Sequence, residues 1–222
     1  MIKTIIRSIR STEPHTKFYR SLVPQGKLLD LGCGSGDKGK AIKSLHPEME
    51  IHGVDIIPET LVPGFYQYQK VDLDKEILPY PDEYFDGVMF WHVIEHLKYP
   101  MQLGSEINRV MKKGARIYAE TPNWTTILVP SFGFHREQHV GPFNFFDDPT
   151  HLKPWSKHSL FEFLSQSCHL SVERISTYRY WFKMPLDLLL VFWGCIRGNR
   201  RTVLGSFWNL YGWCIYGIGT KK

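Results

Sequence analysis

The stretch Leu28-Leu29-Asp30-Leu31-Gly32-Cys33-Gly34-Ser35-Gly36 constrains this 222-residue chain more than any other. A short apolar run ends in an acid, and glycine then takes every second position before a helix-forming segment begins. Such a turn serves a ligand that must approach the main chain closely, or a backbone at positive φ where side chains clash. Its spacing departs from two phosphate-binding patterns. A dinucleotide fingerprint needs G-x-G-x-x-G, and here the third glycine comes one residue early. The P-loop pattern fits from Gly34 to Lys40 but fails at Ala41, where a magnesium-ligating hydroxyl belongs, and it starts inside the turn.

Further strand-like runs follow Lys27–Leu31: Ile51–Val54, Tyr68–Val71, Phe85–Phe90 and Arg116–Ala119. Amphipathic segments separate them. The clearest runs from Tyr99 to Lys113, with Leu103, Ile107, Val110 and Met111 on one face, Lys112 and Lys113 at the dipole's negative end, and Gly114 as the stop. Ser156 suits the N-cap of a later helix, and Leu170–Ser176 and Cys214–Gly219 add two late strands. The alternation predicts an α/β fold, a mostly parallel seven-stranded sheet with helices on both faces. Residues 1–222 are expected to form one domain with a ligand-binding core over 25–120. Two segments break the rhythm. Thr121–Trp155 has no periodicity and is longer than an ordinary loop, so it is expected to be a lid. Lys183–Tyr211 is apolar and aromatic, and is expected to be a helical insertion before the last strand.

At 43% hydrophobic and 22% charged, the chain is neither disordered nor collagen-like. Its four cysteines form no C-x-x-C pair, which excludes a zinc ribbon or thioredoxin-type motif and points to a reducing compartment. The first twenty residues lack the continuous apolar region of a secretory signal. The longest apolar run, Leu188–Ile196, is too short to span a bilayer. A cytoplasmic protein is expected, with a place at the inner face of the membrane if 183–211 touches lipid. The net charge of +5 favours anionic partners only mildly. Because the basic residues form no stripe and no N/D-P-P-Y motif follows the fourth strand, nucleic acid is not expected as a partner.

The glycine turn resembles the first motif of class I S-adenosylmethionine-dependent methyltransferases, and later segments agree in order. Gly53-Val54-Asp55-Ile56 and Val71-Asp72-Leu73 stand where the family carries its acids. The segments Leu78–Val88, Val93–Leu97, Glu106–Gly114 and Thr121-Pro122-Asn123 are similar to the fourth- and fifth-strand regions. Ala115 departs from the pattern, standing where the family often has a second glycine. The resemblance implies a Rossmann-like sheet and S-adenosyl-L-methionine as cofactor. Asp30, Leu31, Gly32, Cys33, Gly34 and Gly36 would line it, Asp55 and Ile56 would hold its ribose, Asp72 and Leu73 its adenine, and the main chain around Phe90 and Trp91 would face the sulfonium.

For the chemistry, His92, His96 and His151 are the candidate acid–base residues. If His92-Val93-Ile94-Glu95-His96 is helical, His92, Glu95 and His96 share a face and form a candidate metal set, similar to the E-x-x-E-H of ubiquinone-pathway O-methyltransferases. No metal is expected. In the lid, Asp147-Asp148-Pro149-Thr150-His151 followed by Leu152-Lys153-Pro154-Trp155-Ser156 resembles bacterial methyltransferases of surface-glycan biosynthesis. That resemblance implies O-methylation of a sugar-containing or lipid-linked acceptor. The lid's aromatic residues (Trp124, Phe132, Phe134, Phe143, Phe145, Phe146, Trp155) would stack on sugar faces, its acids and amides would bind hydroxyls, and Arg136 would meet a phosphate, near His135 and His139. A small aromatic or quinone precursor would suit the same lid, and a cofactor-binding module without catalysis is the alternative outside enzymes. The apolar run Leu188–Trp193 beside Arg197, Arg200 and Arg201 suits either a membrane interface or a hairpin packed on protein.

Overall fold

A computed structural model describes residues 13–131 and 142–222. The expectations for Phe132, Phe134, His135, Arg136 and His139 lie outside the described residues. Seven strands form one sheet: β1 (Lys27–Leu31), β2 (Glu50–Asp55), β3 (Tyr66–Lys70), β4 (Phe85–Trp91), β5 (Met111–Pro122), β6 (Leu170–Thr177) and β7 (Cys214–Lys221). Their spatial order is β3-β2-β1-β4-β5-β7-β6. The first five pair in parallel, and β7 runs antiparallel between β5 and β6.

The period-two pleat sorts side chains to opposite faces. Leu29, Leu31, Val88, Phe90, Ile117 and Ala119 enter one core, while Leu28, Met89 and Tyr118 enter the other. Helix α3 (Pro100–Val110) covers the first face with Leu103, Ile107 and Val110. Helix α4 (Lys157–Glu162) runs on into a π-helical turn and adds Leu160, Phe163 and Leu164 there. Helices α1 (Pro14–Ser21) and α2 (Asp37–Leu45) cover the second face through Phe18, Tyr19 and Ile42. Ser156 caps α4 in a reciprocal box with Ser159, with bonds of 2.8 and 3.0 Å.

Three boundaries differ from the periodicity. The helix predicted over Tyr99–Lys113 stops at Val110, because Met111 already pairs with Phe85 of β4. Lys112 therefore leaves the helix end and reaches Asp86 at 2.7 Å instead. Gly114, at φ 76°, lies inside β5 near the register shift against β4 and does not act as a helix stop. The strand predicted over Tyr68–Val71 is shifted to Tyr66–Lys70.

The described residues of 121–155 are more structured than their lack of periodicity suggests. Thr121 and Pro122 belong to β5, and 3₁₀ turns form at Trp124–Leu128 and Phe145–Asp147. The two ends of the segment are joined by a parallel bridge between Asn123 and Trp155, with Trp124 N–H donating to Trp155 O at 2.8 Å. Between β6 and β7 stand two helices, α5 (Met184–Ile196) and α6 (Arg200–Tyr211).

Candidate functional site

Strand order reverses between β1 and β4, and open α/β sheets bind ligands beyond the carboxyl ends of strands at such a point. The glycine turn lies there. Gly32, Gly34 and Gly36 have φ of 67°, 50° and 74°. A Cβ at Gly32 would stand 2.5 Å from Val93, and one at Gly36 would stand 2.6 Å from Pro63. One at Gly34 would meet nothing within 4 Å. Two glycines therefore make room for the protein's own packing, whereas the third borders open space.

Asp55 closes this turn. Gly34 N–H donates to Asp55 Oδ2 at 2.8 Å, and Ile56 N–H and Ile57 N–H donate to Oδ1 at 2.7 and 3.3 Å. The carboxylate is held in one orientation by main chain, and the Ile56 side chain beside it is exposed. Asp30 is placed differently. It is buried under the turn and accepts a 2.7 Å bond from Tyr66 Oη–H. Burial raises its pKa to about 7, against the opposing pull of the Tyr66 bond and Lys38. Burial beside Asp30 and Asp55 also raises the Cys33 thiol to about 12, so it is no thiolate nucleophile. Asp72 is tied within its own turn to Lys75 Nζ (2.6 Å) and Asp74 N–H (3.1 Å), and these bonds hold its pKa below the ordinary value. An adenine amino group meeting Asp72 would share it with Lys75. Leu73 packs against the core, and Leu31 and Phe90 are wholly buried, so these two offer the rim only main chain. Trp91 faces the rim with Lys38 Nζ 3.6 Å from its ring centroid and its indole N–H buried without an acceptor.

His92, Glu95 and His96 do not share a helical face, contrary to their spacing. His92 has φ 53°, outside the helical region, and residues 93–97 form a single turn. The two rings therefore point into different surroundings on either side of buried Glu95. His92 Nδ1 lies 3.1 Å from Glu95 Oε1, and its Nε2 lies 3.9 Å from both Glu120 Oε1 and Cys214 Sγ. Burial opposes the charged form of His92, but the Glu95 bond and the Glu95 and Glu120 charges outweigh it and raise its pKa. Thr121 Oγ1–H donates to the other Glu95 oxygen at 3.0 Å.

His96 turns toward the segment that ends at Trp155. Its Nδ1 lies 2.9 Å from Thr150 Oγ1, and its ring centroid lies 4.8 Å from that of His151. His151 is 8% exposed, and its Nδ1–H donates to Phe145 O at 2.6 Å, which fixes the tautomer and leaves Nε2 as acceptor. Burial lowers its pKa below the ordinary histidine value. Among the described residues two ligand-like groups result, His92 with Glu120 and Cys214, and Glu95 with His96 and His151. Lys98, Tyr99 and Met101, with Lys153 and Trp155, line a cleft of about 450 Å³ that none of these ligand-like residues lines.

Several lid residues expected to recognise a sugar are instead structural. Asn144 is buried, and its amide donates to Ile127 O and Val129 O at 3.1 and 2.6 Å. Asp147 is also buried and accepts from Phe143 N–H, Asn144 N–H and the Ser131 hydroxyl. Phe145 and Trp155 are core residues, and Phe143 packs on Phe207 of α6. Trp124 and Phe146 keep exposed rings. Asp148 is taken by Thr150 N–H and Oγ1–H at 2.9 and 2.6 Å.

Lys38, Tyr66 and Glu120 were not legible in the sequence as site residues. Each comes from a different element, Tyr66 from beneath the turn through Asp30, and only Lys38, next to the N-terminus of a ligand-edge helix, carried a local hint.

The chain is similar to known proteins over the same stretch. Residues 29–119 match the methyltransferase domain family. The ubiquinone/menaquinone biosynthesis C-methyltransferase UbiE of Burkholderia mallei is 32% identical over 116 residues, which is 49% of this chain and 48% of that protein. An uncharacterised protein of a Streptomyces fradiae transposon is 29% identical over 48% of this chain and 33% of its own length. The chain thus spans between a third and a half of the curated relatives it matches. A SAM-dependent methyltransferase from Archaeoglobus fulgidus superposes with a TM-score of 0.63 at 22% identity, over 99% of this chain and 94% of that one. At this identity, the superposition speaks for the fold.

Proposed function

We propose, from the methyltransferase domain that this chain carries over residues 29–119, that it transfers a methyl group from S-adenosylmethionine to an oxygen of a sugar-containing or lipid-linked acceptor. The cofactor's fit rests on the open side of Gly34, the main-chain-anchored Asp55 and the orphaned Trp91 indole. Gly34, Asp55, Ile56, Asp72 and Leu73 would hold its adenosine, with the main chain at Phe90–Trp91 toward its other end. When bound, it supplies an electrophilic methyl on a sulfonium whose charge disappears as the new bond forms.

The protein's own part is to align the acceptor, exclude water and take a proton. The single observation carrying the acid–base assignment is His151. It is buried and uncharged at neutral pH, and its Nδ1–H is locked on Phe145 O, so Nε2 is left to accept the acceptor's proton. His96 lies against it, and buried Glu95 faces both rings, so charge developing on this pair meets a carboxylate. The exposed rings of Trp124 and Phe146 offer apolar faces for a sugar, and Lys98 and Lys153 suit an acceptor phosphate.

A second reading, methylation of a quinone precursor, is favoured by the likeness to UbiE. One screen separates them: sugar nucleotides, glycolipids and phenols assayed for S-adenosylhomocysteine. Turnover with the glycosylated acceptors supports the first reading, and turnover confined to phenols replaces it with the second. Calorimetry comes first. Binding of NADH without S-adenosylmethionine would sink both.

A further inference from the structure

Helix α5 is inverted relative to a water-facing helix. Its single charged residue, Asp187, is turned inward and fully buried. There it pairs with Lys183 Nζ at 2.9 Å and accepts from Asn209 Nδ2 of α6 at 2.5 Å. Gly194 also faces inward, close against Val203 of α6. The outward side presents Leu186, Leu188, Leu189, Phe192, Trp193 and Ile196, with Leu189, Phe192 and Ile196 67%, 70% and 68% exposed. Trp181, just before the helix, is 70% exposed. A soluble helix normally shows its polar stripe to water, and an apolar face this wide marks contact with something apolar.

The ends of the helix say what covers it. Arg197 caps its C-terminal end and Arg201 stands in the first turn of α6; both are exposed, and Arg197 lies 5.4 Å from the Trp193 ring centroid. An apolar face edged by tryptophans and arginines matches the two layers of a bilayer surface, with acyl chains below and phosphates above. Among the described residues, no helix is long and apolar enough to cross a membrane, so α5 would lie in the interface plane.

We infer that the outward face of α5, with Trp181, Arg197 and Arg201, docks on an anionic lipid bilayer. The consequence for the site follows from connectivity. The hairpin leaves the sheet after Thr177 and re-enters at Cys214, opposite Pro122, at the same edge as the glycine turn. Trp208 Nε1–H donates to Pro142 O and Tyr211 Oη–H to Thr125 O, tying α6 to the lid. Trp213, where the hairpin ends, lies 5.9 Å from His92 between ring centroids. Docking α5 therefore brings the lid and rim to the lipid surface, where the polar part of a lipid-linked acceptor is found. This deepens the lipid-linked reading of the acceptor. The docking itself needs neither cofactor nor turnover.

The test uses the full chain without cofactor and vesicles of phosphatidylcholine with or without phosphatidylglycerol. Co-sedimentation with the anionic vesicles is expected, with a blue shift of tryptophan emission. L189S/F192S should lower the partition coefficient at least tenfold, and R197E/R201E should remove its salt-sensitive part. All four positions are exposed, so circular dichroism and S-adenosylmethionine binding should match the parent chain. A parent chain that stays in the supernatant with anionic vesicles overturns the proposal, as does an L189S/F192S variant that binds as well. A lipid-free dimer that L189S/F192S converts to monomer would also overturn it, assigning the face to a second copy. If methyl transfer fails while vesicle binding holds, the functional reading alone is lost.

Discussion

On the glycine side of the rim, main chain does the holding: Gly34, Ile56 and Ile57 amides fix Asp55, and the turn hangs on Val54 O. On the histidine side, side chains do it: His96 meets Thr150, His151 meets Phe145 O, and His92 meets Glu95 and Cys214. Main-chain scaffolding is nearly independent of side-chain identity, so it suits a ligand that never changes. A site assembled from side chains across several segments can be altered one residue at a time.

The largest effect that would break this division is at Gly34. Gly34→Ala is expected to cost about 1–2 kcal/mol of backbone strain, a few degrees in Tm. It should also weaken S-adenosylmethionine binding at least a hundredfold, because the methyl group fills the open side of the turn. Gly32→Ala, whose methyl group would stand 2.5 Å from Val93, should instead cost more stability than Gly34→Ala. Equal cofactor affinity in Gly34→Ala and parent, by calorimetry, would show that the ligand does not lie over the turn.

Next comes His151→Ala. It should lower kcat by roughly a hundredfold, in the range of a lost general base, while cofactor Kd stays within twofold. The pH profile sharpens the point. Because the His151 pKa is depressed, its base form persists below the ordinary value of about 6.5, and the acid limb of kcat should fall there and vanish in the variant. An unchanged limb would move the proton transfer elsewhere.

A smaller effect is expected at His92, where Asn tolerates the left-handed backbone. The folded pKa of His92 is raised, so its pairing with Glu95 and Glu120 stabilises the fold fully below about pH 6.5 and fades as pH rises through the raised value. His92→Asn should therefore lose more Tm at pH 6 than at pH 9. The reverse order would mean that the ring is neutral in the folded protein. The smallest effect is that of chelation: EDTA should leave turnover within twofold, since the histidine pair is assigned proton transfer without an ion. A loss restored by a divalent cation would assign Glu95, His96 and His151 to a metal.

The same division decides what could be read from sequence. The sheet, the glycine turn and Asp55 were legible because strand periodicity and the turn's acid lie in continuous stretches. The helix end at Val110 was not, since a tertiary pairing of Met111 with Phe85 overrides two lysines well suited to a helix terminus. The His92–His96 group was misread for a related reason. Three polar residues at helical spacing suggest one face, but the left-handed backbone at His92 depends on the Glu120 carbonyl accepting its amide, 28 residues away. Lid aromatics suggested stacking platforms, yet Phe145 and Trp155 fill the core, and composition does not say which rings will be inside.

The bridge between Asn123 and Trp155 pins the two ends of the intervening segment side by side and forms a neck. Grafts of different length or chemistry can be seated on that neck without disturbing strand register. Chimeras exchanged at Asn123 and Trp155 should inherit the donor's taste in acceptors while drawing on the host's unchanged methyl supply.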